Sequence, residues 1–236
     1  MWKKIQVELT VMKTEIHKIP LGAGNCYLLK GDGLILVEAG TFPKANGFLK
    51  ALKKININPK DISLIFLTHG HWDHIAGVSE IKKITGAKVA INGHEKSWVE
   101  EALKPMPPGQ SFWGKGLVKA LNMAKYLVSF KGTVVDIALK DETFSLEPYG
   151  IEGKIIYTPG HSLGSMTLVL DSGEAFVGDT AMNGFPLRSN PGLPIFGDDL
   201  NEVKKSWAYI LECGAKTIYP YHGDCFSSAV FEAELV

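Results

Sequence analysis

Short runs of apolar residues alternate with polar positions along most of the chain, and this pattern is typical of β-strands. Such runs predict strands at 5–11, 25–30, 33–38, 62–67, 88–91, 133–138, 154–158, 166–170, 174–178 and 216–219. Apolar residues at helical spacing predict helices after Pro43, from about Asp73 to Thr85, and near 199–212. The last helix and the strand at 216–219 are expected to close the chain. Strands that alternate with helices in this way predict an α/β protein.

Residues 93–130 interrupt this alternation. Helical stretches near 95–103 and 116–129 lie on either side of a Pro-rich segment, 105–109, that can continue neither helix. The sequence has no internal repeat, low-complexity segment or charged linker. We therefore predict a single domain over residues 1–236 with a helical insertion at 93–130.

Composition narrows the range of partners. Hydrophobic residues make up 45% of the 236 residues and charged residues 21%, as in an ordinary globular protein. Lys plus Arg and Asp plus Glu number 25 each, so no net field attracts nucleic acid or an anionic membrane. We therefore expect neither a nucleic-acid nor a membrane partner, and other partners must be inferred from local sites. Composition leaves a homodimer open.

The first residues and the cysteines bear on the compartment. Apolar and polar positions alternate in residues 1–10, unlike the continuous apolar core of a signal peptide. No run approaches the ~18 consecutive apolar residues of a transmembrane helix. The three cysteines are an odd number without close pairing, which argues against a disulfide framework. These features predict a cytoplasmic protein.

The candidate chemistry lies where predicted strands end. Five histidines and two aspartates occupy such positions: His69, His71, Asp73, His74, His161, Asp179 and His222. Loops at strand ends can aim side chains from distant parts of a sequence at one point, because the sheet behind them is rigid. The sequence therefore predicts that these seven side chains converge.

Residue type and spacing favour a site for two metal ions. In an extended segment His69 and His71 lean to the same side and can share one ion, whereas Asp73 and His74 at a helix start can face another. Asp179 is the natural bridge, because a carboxylate has two oxygens and can hold two ions ~3.5 to 4 Å apart.

The order of these motifs resembles that of the metallo-β-lactamase superfamily. The matching segments are Thr68-His69-Gly70-His71-Trp72-Asp73-His74, Thr-Pro-Gly-His161-Ser, Val-Gly-Asp179-Thr and Tyr-His222-Gly. The resemblance covers residues 25–222 and leaves mainly the insertion unexplained. It implies a four-layer αββα sandwich with two metal ions, usually Zn²⁺, with Fe or Mn as alternatives.

The resemblance also implies a ligand arrangement. One ion would be held by His69, His71 and His161, the other by Asp73, His74 and His222, and Asp179 would bridge them. The chain departs from the family pattern at Glu38, where an aspartate is common, and at Pro220-Tyr221, where Pro-Gly often precedes the last histidine. Both changes leave the ligands intact, and Glu38 is a candidate neighbour of those ligands.

A hydrolase that uses a hydroxide bridging the two ions is the function that this resemblance implies. Asp73 and Asp179 are the candidate catalytic residues, since either would orient the water or pass a proton to the leaving group. Apolar surroundings favour an ester, lactone or thioester of a small, partly apolar substrate. A phosphodiesterase and a mononuclear iron dioxygenase are the alternatives on the same fold, and a binding module without catalysis is disfavoured by the complete ligand set.

The insertion and the loop after Asp179 are expected to border the mouth of the site. Apolar residues of the insertion would either form a lid over the substrate or pack the inserted helices together: Trp98, Met106, Phe112, Trp113, Met123 and Tyr126. Arg188 is the only arginine and follows Asp179 by nine residues. It is a candidate to bind a substrate carboxylate or phosphate, with a surface role as the alternative.

Overall fold

The structure is a computed structural model that describes residues 14–41, 45–185 and 187–236. Its strands are β1 (Glu15–Pro20), β2 (Asn25–Lys30), β3 (Leu34–Val37), β4 (Ile62–Phe66), β5 (Lys88–Asn92), β6 (Ile137–Leu139), β7 (Phe144–Ser145), β8 (Gly153–Tyr157), β9 (Met166–Leu170), β10 (Glu174–Gly178), β11 (Thr217–Pro220) and β12 (Phe226–Ser227). Its helices are α1 (Asn46–Lys54), α2 (Trp72–Ile75), α3 (Val78–Thr85), α4 (Lys96–Glu100), α5 (Phe112–Ala124), α6 (Leu200–Glu212) and α7 (Ala229–Leu235). Among these residues, no helix has the length and apolar character needed to cross a bilayer.

The first sheet contains six strands in the order β1-β2-β3-β4-β5-β6. Strands β1, β2 and β3 are antiparallel neighbours, whereas β3, β4, β5 and β6 run parallel to one another. Parallel neighbours need crossover connections, which α1 supplies between β3 and β4 and α2 with α3 supplies between β4 and β5. The carboxyl ends of β3, β4 and β5 therefore lie along the same edge of the sheet.

The second sheet has the order β12-β11-β10-β9-β8-β7. Only β10 and β11 are parallel, and α6 forms the crossover between them. The other neighbours are antiparallel. The parallel pair places the carboxyl ends of β10 and β11 side by side, which determines where the segments after them begin.

Side chains that alternate along the strands build the layers. In β2, Cys26 and Leu28 pack with the helices on the outer face of the first sheet, whereas Tyr27 and Leu29 join the core between the two sheets. Residues of β8 and β9 alternate in the same way between that central core and a third core, which contains Trp207 of α6. The order of layers is therefore helices, sheet, sheet, helices.

Helix α6 shows how the sequence specifies the outermost layer. The Asp199 carboxylate caps its start by accepting hydrogen bonds from the N–H groups of Asn201 and Glu202 at 2.8 and 3.2 Å. Trp207, at the centre of its buried face, stacks on Phe231 of α7 with ring centroids 3.9 Å apart. This stacking attaches α7 to the same core.

The structure corrects several predicted boundaries. The predicted helix from Asp73 to Thr85 is two helices, α2 and α3, since the Gly77 N–H donates to the Gly40 carbonyl outside the helix. Residues 133–136 are not strand, because the Asp136 carboxylate accepts the Val89 N–H that a strand partner would use.

Elements at the two ends of the described chain also differ from prediction. The strand at 216–219 does not close the chain, since β12 and α7 follow it. Strand β1 has no predicted counterpart, because it is a largely polar edge strand without an apolar run. The predicted strand at 5–11 lies outside the described residues.

The inserted segment contains α4 and α5, joined by the Pro-rich stretch. Helix α5 begins four residues earlier than the predicted helix at 116–129, because Ser111 accepts the Gly114 N–H at 2.9 Å and caps it there. Several residues expected either to cover a substrate or to pack this segment face solvent instead: Phe112, Trp113, Met123 and Tyr126. The packing interpretation is therefore wrong for most of these side chains.

Gly178 is the last residue of β10 in the second sheet, and it packs against Thr68, which follows β4 of the first sheet. It therefore determines how closely the two sheets approach each other there. Its φ is +56°, and a Cβ built on it would lie 2.1 Å from Thr68 Oγ1. We expect Gly178→Ala to lower the free energy of unfolding by about 3 kcal/mol, because left-handed strain and overpacking add. Urea denaturation measures this change.

Gly86→Ala is the matched control for this prediction. Gly86 has a φ of +77° and open space around its Cβ position, so it tests strain without a clash. A loss of about 1 kcal/mol is expected there. Equal losses in the two variants would contradict the close approach at Gly178.

Candidate metal centre

The seven predicted side chains lie together at the edge where strands of both sheets end. The segment 69–74 follows β4, Asp179 follows β10, His222 follows β11, and His161 lies between β8 and β9. All five imidazoles and Asp179 are buried, and Asp73 is partly buried. The predicted convergence is therefore present in the structure.

Three histidines form the first of two groups, called site A. Nitrogen atoms of His69, His71 and His161 lie within 4.8 Å of one another, close enough to share one ion. His71 Nδ1 lies 3.0 Å from His161 Nε2. Site A is therefore made entirely of imidazole nitrogens, which suit a borderline dication.

The second group, called site B, contains Asp73, His74 and His222, whose ligand atoms also lie within 4.8 Å of one another. Asp73 Oδ2 is 3.3 Å from His222 Nε2 and 3.9 Å from His74 Nε2. Site B therefore adds a carboxylate to two imidazoles.

Asp179 lies between the two groups. Its Oδ2 atom is 3.8 Å from His161 Nε2 of site A and 3.5 Å from His222 Nε2 of site B. Its Oδ1 atom is 3.5 Å from His74 Nε2. One carboxylate thus reaches both groups, as a bridging ligand must.

Buried atoms without partners test whether a metal pair fits. Three buried atoms that face the centre have no hydrogen-bond partner among the described residues, namely His69 Nε2, His74 Nε2 and Asp179 Oδ1, and behind them Glu38 Oε2 and His74 Nδ1 have none either. Each such atom costs about 1–3 kcal/mol if it is left unsatisfied. The three atoms belong to site A, site B and the carboxylate between them, so coordination of two cations would satisfy all three. The residues therefore fit a metal pair.

Hydrogen bonds behind the imidazoles determine which nitrogen faces the centre. His161 Nδ1 donates to the Phe196 carbonyl and His222 Nδ1 donates to the Ala23 carbonyl, both at 3.1 Å. A carbonyl can only accept, so the proton is on Nδ1 and the Nε2 lone pair faces the site. The main chain thus prepares both rings for coordination.

Glu38 performs the same task for His69 and lies beside His74. Its buried carboxylate accepts the Thr68 hydroxyl proton, and its Oε1 lies 3.2 Å from His74 Nδ1. Since the only Thr68 proton is used, His69 Nδ1 must donate to Thr68 Oγ1 at 3.1 Å. Glu38 therefore orients His69 through Thr68 with Nε2 toward the centre, whereas its carboxylate lies beside His74 Nδ1 as a charged neighbour and not as a hydrogen-bond partner.

The conformation of Glu38 is unusual. Its φ of +70° is in the left-handed region, which a residue with a Cβ adopts at a cost. Glu38 also belongs to a third group of candidate ligands, with His69 and His74. We place it behind the rings, since it contacts Nδ1 of His74 whereas Nε2 faces Asp179.

Electrostatics differ between the two groups. In site A, burial lowers the pKa of His69 and of His161. Burial and the nearby His161 together lower the pKa of His71 to about 3. Neutral imidazoles, the form that binds a metal, are therefore favoured at site A.

Opposite charges dominate around site B. Burial alone would raise the pKa of Asp179 and Asp73, but His74 and His222 hold both below their usual range. Burial alone would lower the pKa of His74, which Glu38 and the two aspartates instead raise well above its usual value. Both carboxylates are therefore ionised and available as ligands.

Glu95 joins the segments that carry site A, and the sequence did not indicate it. Its carboxylate accepts the N–H of Gly70, between His69 and His71, and that of Gly164 at 2.9 Å, three residues after His161. Burial raises the pKa of Glu95, although these two hydrogen bonds act to lower it. Its position directly after β5, at the same edge as the ligands, was the available signal.

Two aromatic residues hold ligand rings from behind. Trp98, a candidate either for a lid or for packing of the inserted helices, stacks on the predicted ligand His71 with a ring-centroid distance of 5.9 Å. Tyr221 lies 3.8 Å from the His74 ring, and its hydroxyl donates to the Asp73 carbonyl at 2.6 Å. Gly24 provides the room for Tyr221, since a Cβ there would lie 2.2 Å from its ring.

A cavity of about 300 Å³ opens onto the centre. Its lining includes the predicted ligands His71, Asp73, Asp179 and His222. The remaining walls come mainly from the insertion and from the loop after Asp179, with Met106, Pro107, Leu117 and Leu121 in the first and Asn183, Gly184, Phe185 and Leu187 in the second. Both segments border the site, as the sequence predicted.

Arg188 is not among the described residues that line this cavity. Its Nε donates to the Asn190 carbonyl at 3.0 Å, and a second nitrogen donates to the Leu193 carbonyl at 2.7 Å. The guanidinium thus holds the loop after Asp179 together. A contact between Arg188 and substrate stays a prediction.

Comparison with known sequences identifies the family. A sequence profile of the metallo-β-lactamase superfamily matches residues 19–222. The chain is 30% identical over 159 residues to the probable metallo-hydrolase MJ0888 of Methanocaldococcus jannaschii, which is 67% of each protein. It is also 26% identical to the probable metallo-hydrolase YflN of Bacillus subtilis over 71% of this chain. That match spans 64% of YflN, which is less than two thirds of its length.

Solved structures share the fold. An archaeal metallo-β-lactamase superfamily protein from Sulfolobus tokodaii superposes with a TM-score of 0.65 over 93% of this chain and 84% of that one, at 23% identity. The B3 metallo-β-lactamase BLEG-1 superposes with a TM-score of 0.66 over 91% of this chain and 95% of that one, at 21% identity.

These comparisons bear out the fold class and the broad chemistry expected from the sequence. The neighbours confirm the predicted αββα sandwich, and the names of the relatives support a hydrolase. Since the profile spans nearly all of the described strands and every candidate ligand, the chain belongs to the metallo-β-lactamase superfamily.

Proposed function

We propose that this protein hydrolyses an ester, lactone or thioester bond in a small substrate with an apolar acyl part. Two metal ions, most simply Zn²⁺, would be held by His69, His71 and His161 at site A, by Asp73, His74 and His222 at site B, and by Asp179 between them. When bound, such ions supply Lewis acidity and lower the pKa of water.

The apolar cavity beside site B carries this proposal. Met106, Leu117 and Leu121 form one wall, and its volume is at the lower end of the range for small-molecule sites. None of the lining residues that the structure describes is Lys or Arg. Beyond the metal centre itself the wall offers no cation to a phosphodiester, so an uncharged acyl group fits this wall better.

The two aspartates have different surroundings. The Asp73 side chain is 20% exposed and that of Asp179 is 3% exposed, and both line the cavity. Asp73 is therefore the better candidate to hold a proton on its way to the leaving group, with His222 Nε2 at 3.3 Å as its neighbour. Asp179, lying between the two groups, is better suited to coordination.

The name of one relative supports hydrolysis of an acyl bond. The chain is 28% identical to a hydroxyacylglutathione hydrolase of Cereibacter sphaeroides over 72% of its length, although the match spans only 53% of that enzyme. That name denotes hydrolysis of an acyl derivative of glutathione. The partial coverage leaves the glutathione part without support, so the proposal is limited to the acyl part.

A series of straight-chain acyl esters and thioesters tests the proposal. We expect kcat/KM of the zinc-loaded protein to rise about fourfold per methylene, because each buried CH₂ contributes about 0.8 kcal/mol, until the cavity is full. Leu121→Ser should remove most of this dependence on chain length. Initial-rate measurements over the series give both slopes.

Leu49→Ser is the control, since Leu49 lies on α1 and is 39% exposed. It should keep the wild-type slope. A bis-aryl phosphodiester turned over faster than every acyl substrate would refute the assignment, as would a slope that is unchanged in Leu121→Ser.

Glu95→Gln tests the support of site A. The amide keeps the size of the carboxylate but offers only one acceptor, so the Gly70 or Gly164 N–H loses its partner. We expect zinc affinity at site A to fall about 10–100-fold, as for other residues that orient ligands from behind. Titration against a chromophoric chelator measures both affinities.

Glu101→Gln, at an exposed position just beyond α4, should leave both affinities unchanged. If Glu95→Gln binds two zinc ions as tightly as the wild type, Glu95 does not support the site.

A further inference from the structure

Helix α5 presents an unusual outer face. Phe112 is 97% exposed and Met123 is 73% exposed, and on a helix their positions differ by only ~20°. Tyr126 and Leu127, in the helical turn that follows, are 79% and 87% exposed. Four large apolar side chains therefore project from one short segment, which exceeds the scattered exposure expected on a protein surface.

The opposite face of α5 belongs to the cavity. Leu117 and Leu121, one helical turn apart, line it, and Val118 packs against the small core beside it. The helix is thus a thin wall with apolar side chains on both sides: the candidate active site lies on one side and the exposed apolar residues lie on the other.

Charge in this segment is strongly one-sided. Residues 102–135 contain five lysines and no acidic residue: Lys104, Lys115, Lys119, Lys125 and Lys131. The whole chain has equal numbers of cationic and acidic residues, so this excess is local. Lys115 and Lys119 are exposed on the same outer face of α5, and neither forms an ion pair with another residue that the structure describes.

We propose that the outer face of α5 and the turn after it, defined by Phe112, Lys115, Lys119, Met123, Tyr126 and Leu127, docks onto an anionic lipid surface. Aromatic and aliphatic residues among lysines on one side of a helix are the pattern of an interfacial helix, whose apolar side chains enter the acyl boundary. The lysines add attraction to anionic headgroups. The expectation of no membrane partner rested on overall charge balance, which does not reveal this local excess.

Other occupants fit these features less well. A twofold contact with a second copy would place Lys115 and Lys119 opposite the same lysines, with no acid of this segment to offset them. Single-stranded nucleic acid could stack bases on Phe112 and Tyr126, but it would leave the aliphatic Met123 and Leu127 without a partner of their own kind. Lipid uses both features, because its headgroups neutralise the lysines and its acyl chains accept aliphatic residues.

The docked orientation would connect the lipid with the cavity. With the outer face of α5 in the headgroup region, Leu117 and Leu121 on its inner side lie one helix diameter from the bilayer. An apolar acyl substrate held at the bilayer surface would then lie only that distance from the cavity. This last step rests on the proposed function, whereas the docking itself does not.

Sedimentation with vesicles tests the docking without any need for turnover. Zinc-loaded protein is mixed with vesicles of phosphatidylcholine alone or with phosphatidylglycerol added, at low and at raised salt. We expect binding to the mixed vesicles only, weakened by salt. The Lys115→Glu/Lys119→Glu double variant should bind on the order of thirtyfold more weakly or worse.

The Lys50→Glu/Lys54→Glu double variant is the matched control. These lysines are exposed on α1 with the same four-residue spacing, so the change in net charge is identical. It should bind close to the wild type. The Phe112→Ser/Met123→Ser variant should also lose vesicle binding, and melting temperatures of all variants report their folding.

Three outcomes would overturn the docking proposal: no binding of the wild type to mixed vesicles, equal losses in the two lysine variants, or tighter lysine-dependent binding to a single-stranded oligonucleotide. Hydrolysis of soluble acyl esters with no vesicle binding would leave the proposed function standing and reject the docking. Vesicle binding without hydrolysis would leave the docking standing and reject the proposed function.

Discussion

The structure depends on one electrostatic constraint: seven candidate metal ligands, nearly all buried, meet at one edge with too few protein partners. His69 Nε2, His74 Nε2 and Asp179 Oδ1 have no hydrogen bond among the described residues, although each is buried. Burial of such atoms is costly unless something compensates them. Cations at site A and site B would compensate them, and this requirement would explain why distant segments end in candidate ligands at the same place.

Carboxylates behind the ligands hold that arrangement together. Glu38 orients His69 of site A through Thr68 and lies 3.2 Å from His74 of site B, while Glu95 ties the segment before His71 to the segment after His161. Neither lines the cavity, so each acts through the ligands that it positions. Buried carboxylates thus position the candidate ligands from outside the cavity, whose wall includes the apolar side chains Met106, Leu117 and Leu121.

The sequence predicted much of this arrangement because buried strands and metal ligands have strong local signatures. Strands β9 and β10 match their apolar runs, and all seven predicted ligands converge. Edge strand β1 was missed because it is polar, and the break at Gly77 because it depends on a distant carbonyl. Glu95 and the outward direction of Phe112 were not predictable either, since one depends on tertiary contacts and the other on which helix face packs.

Anomalous X-ray scattering tests the central claim most directly. Diffraction data from zinc-loaded crystals, collected on both sides of the zinc absorption edge, locate each ion without assumptions about activity. The account predicts two peaks ~3.5 to 4 Å apart, one within site A and one within site B, with the Asp179 carboxylate between them. Fully loaded protein with no peak among these side chains, or with zinc only at surface positions, would contradict it.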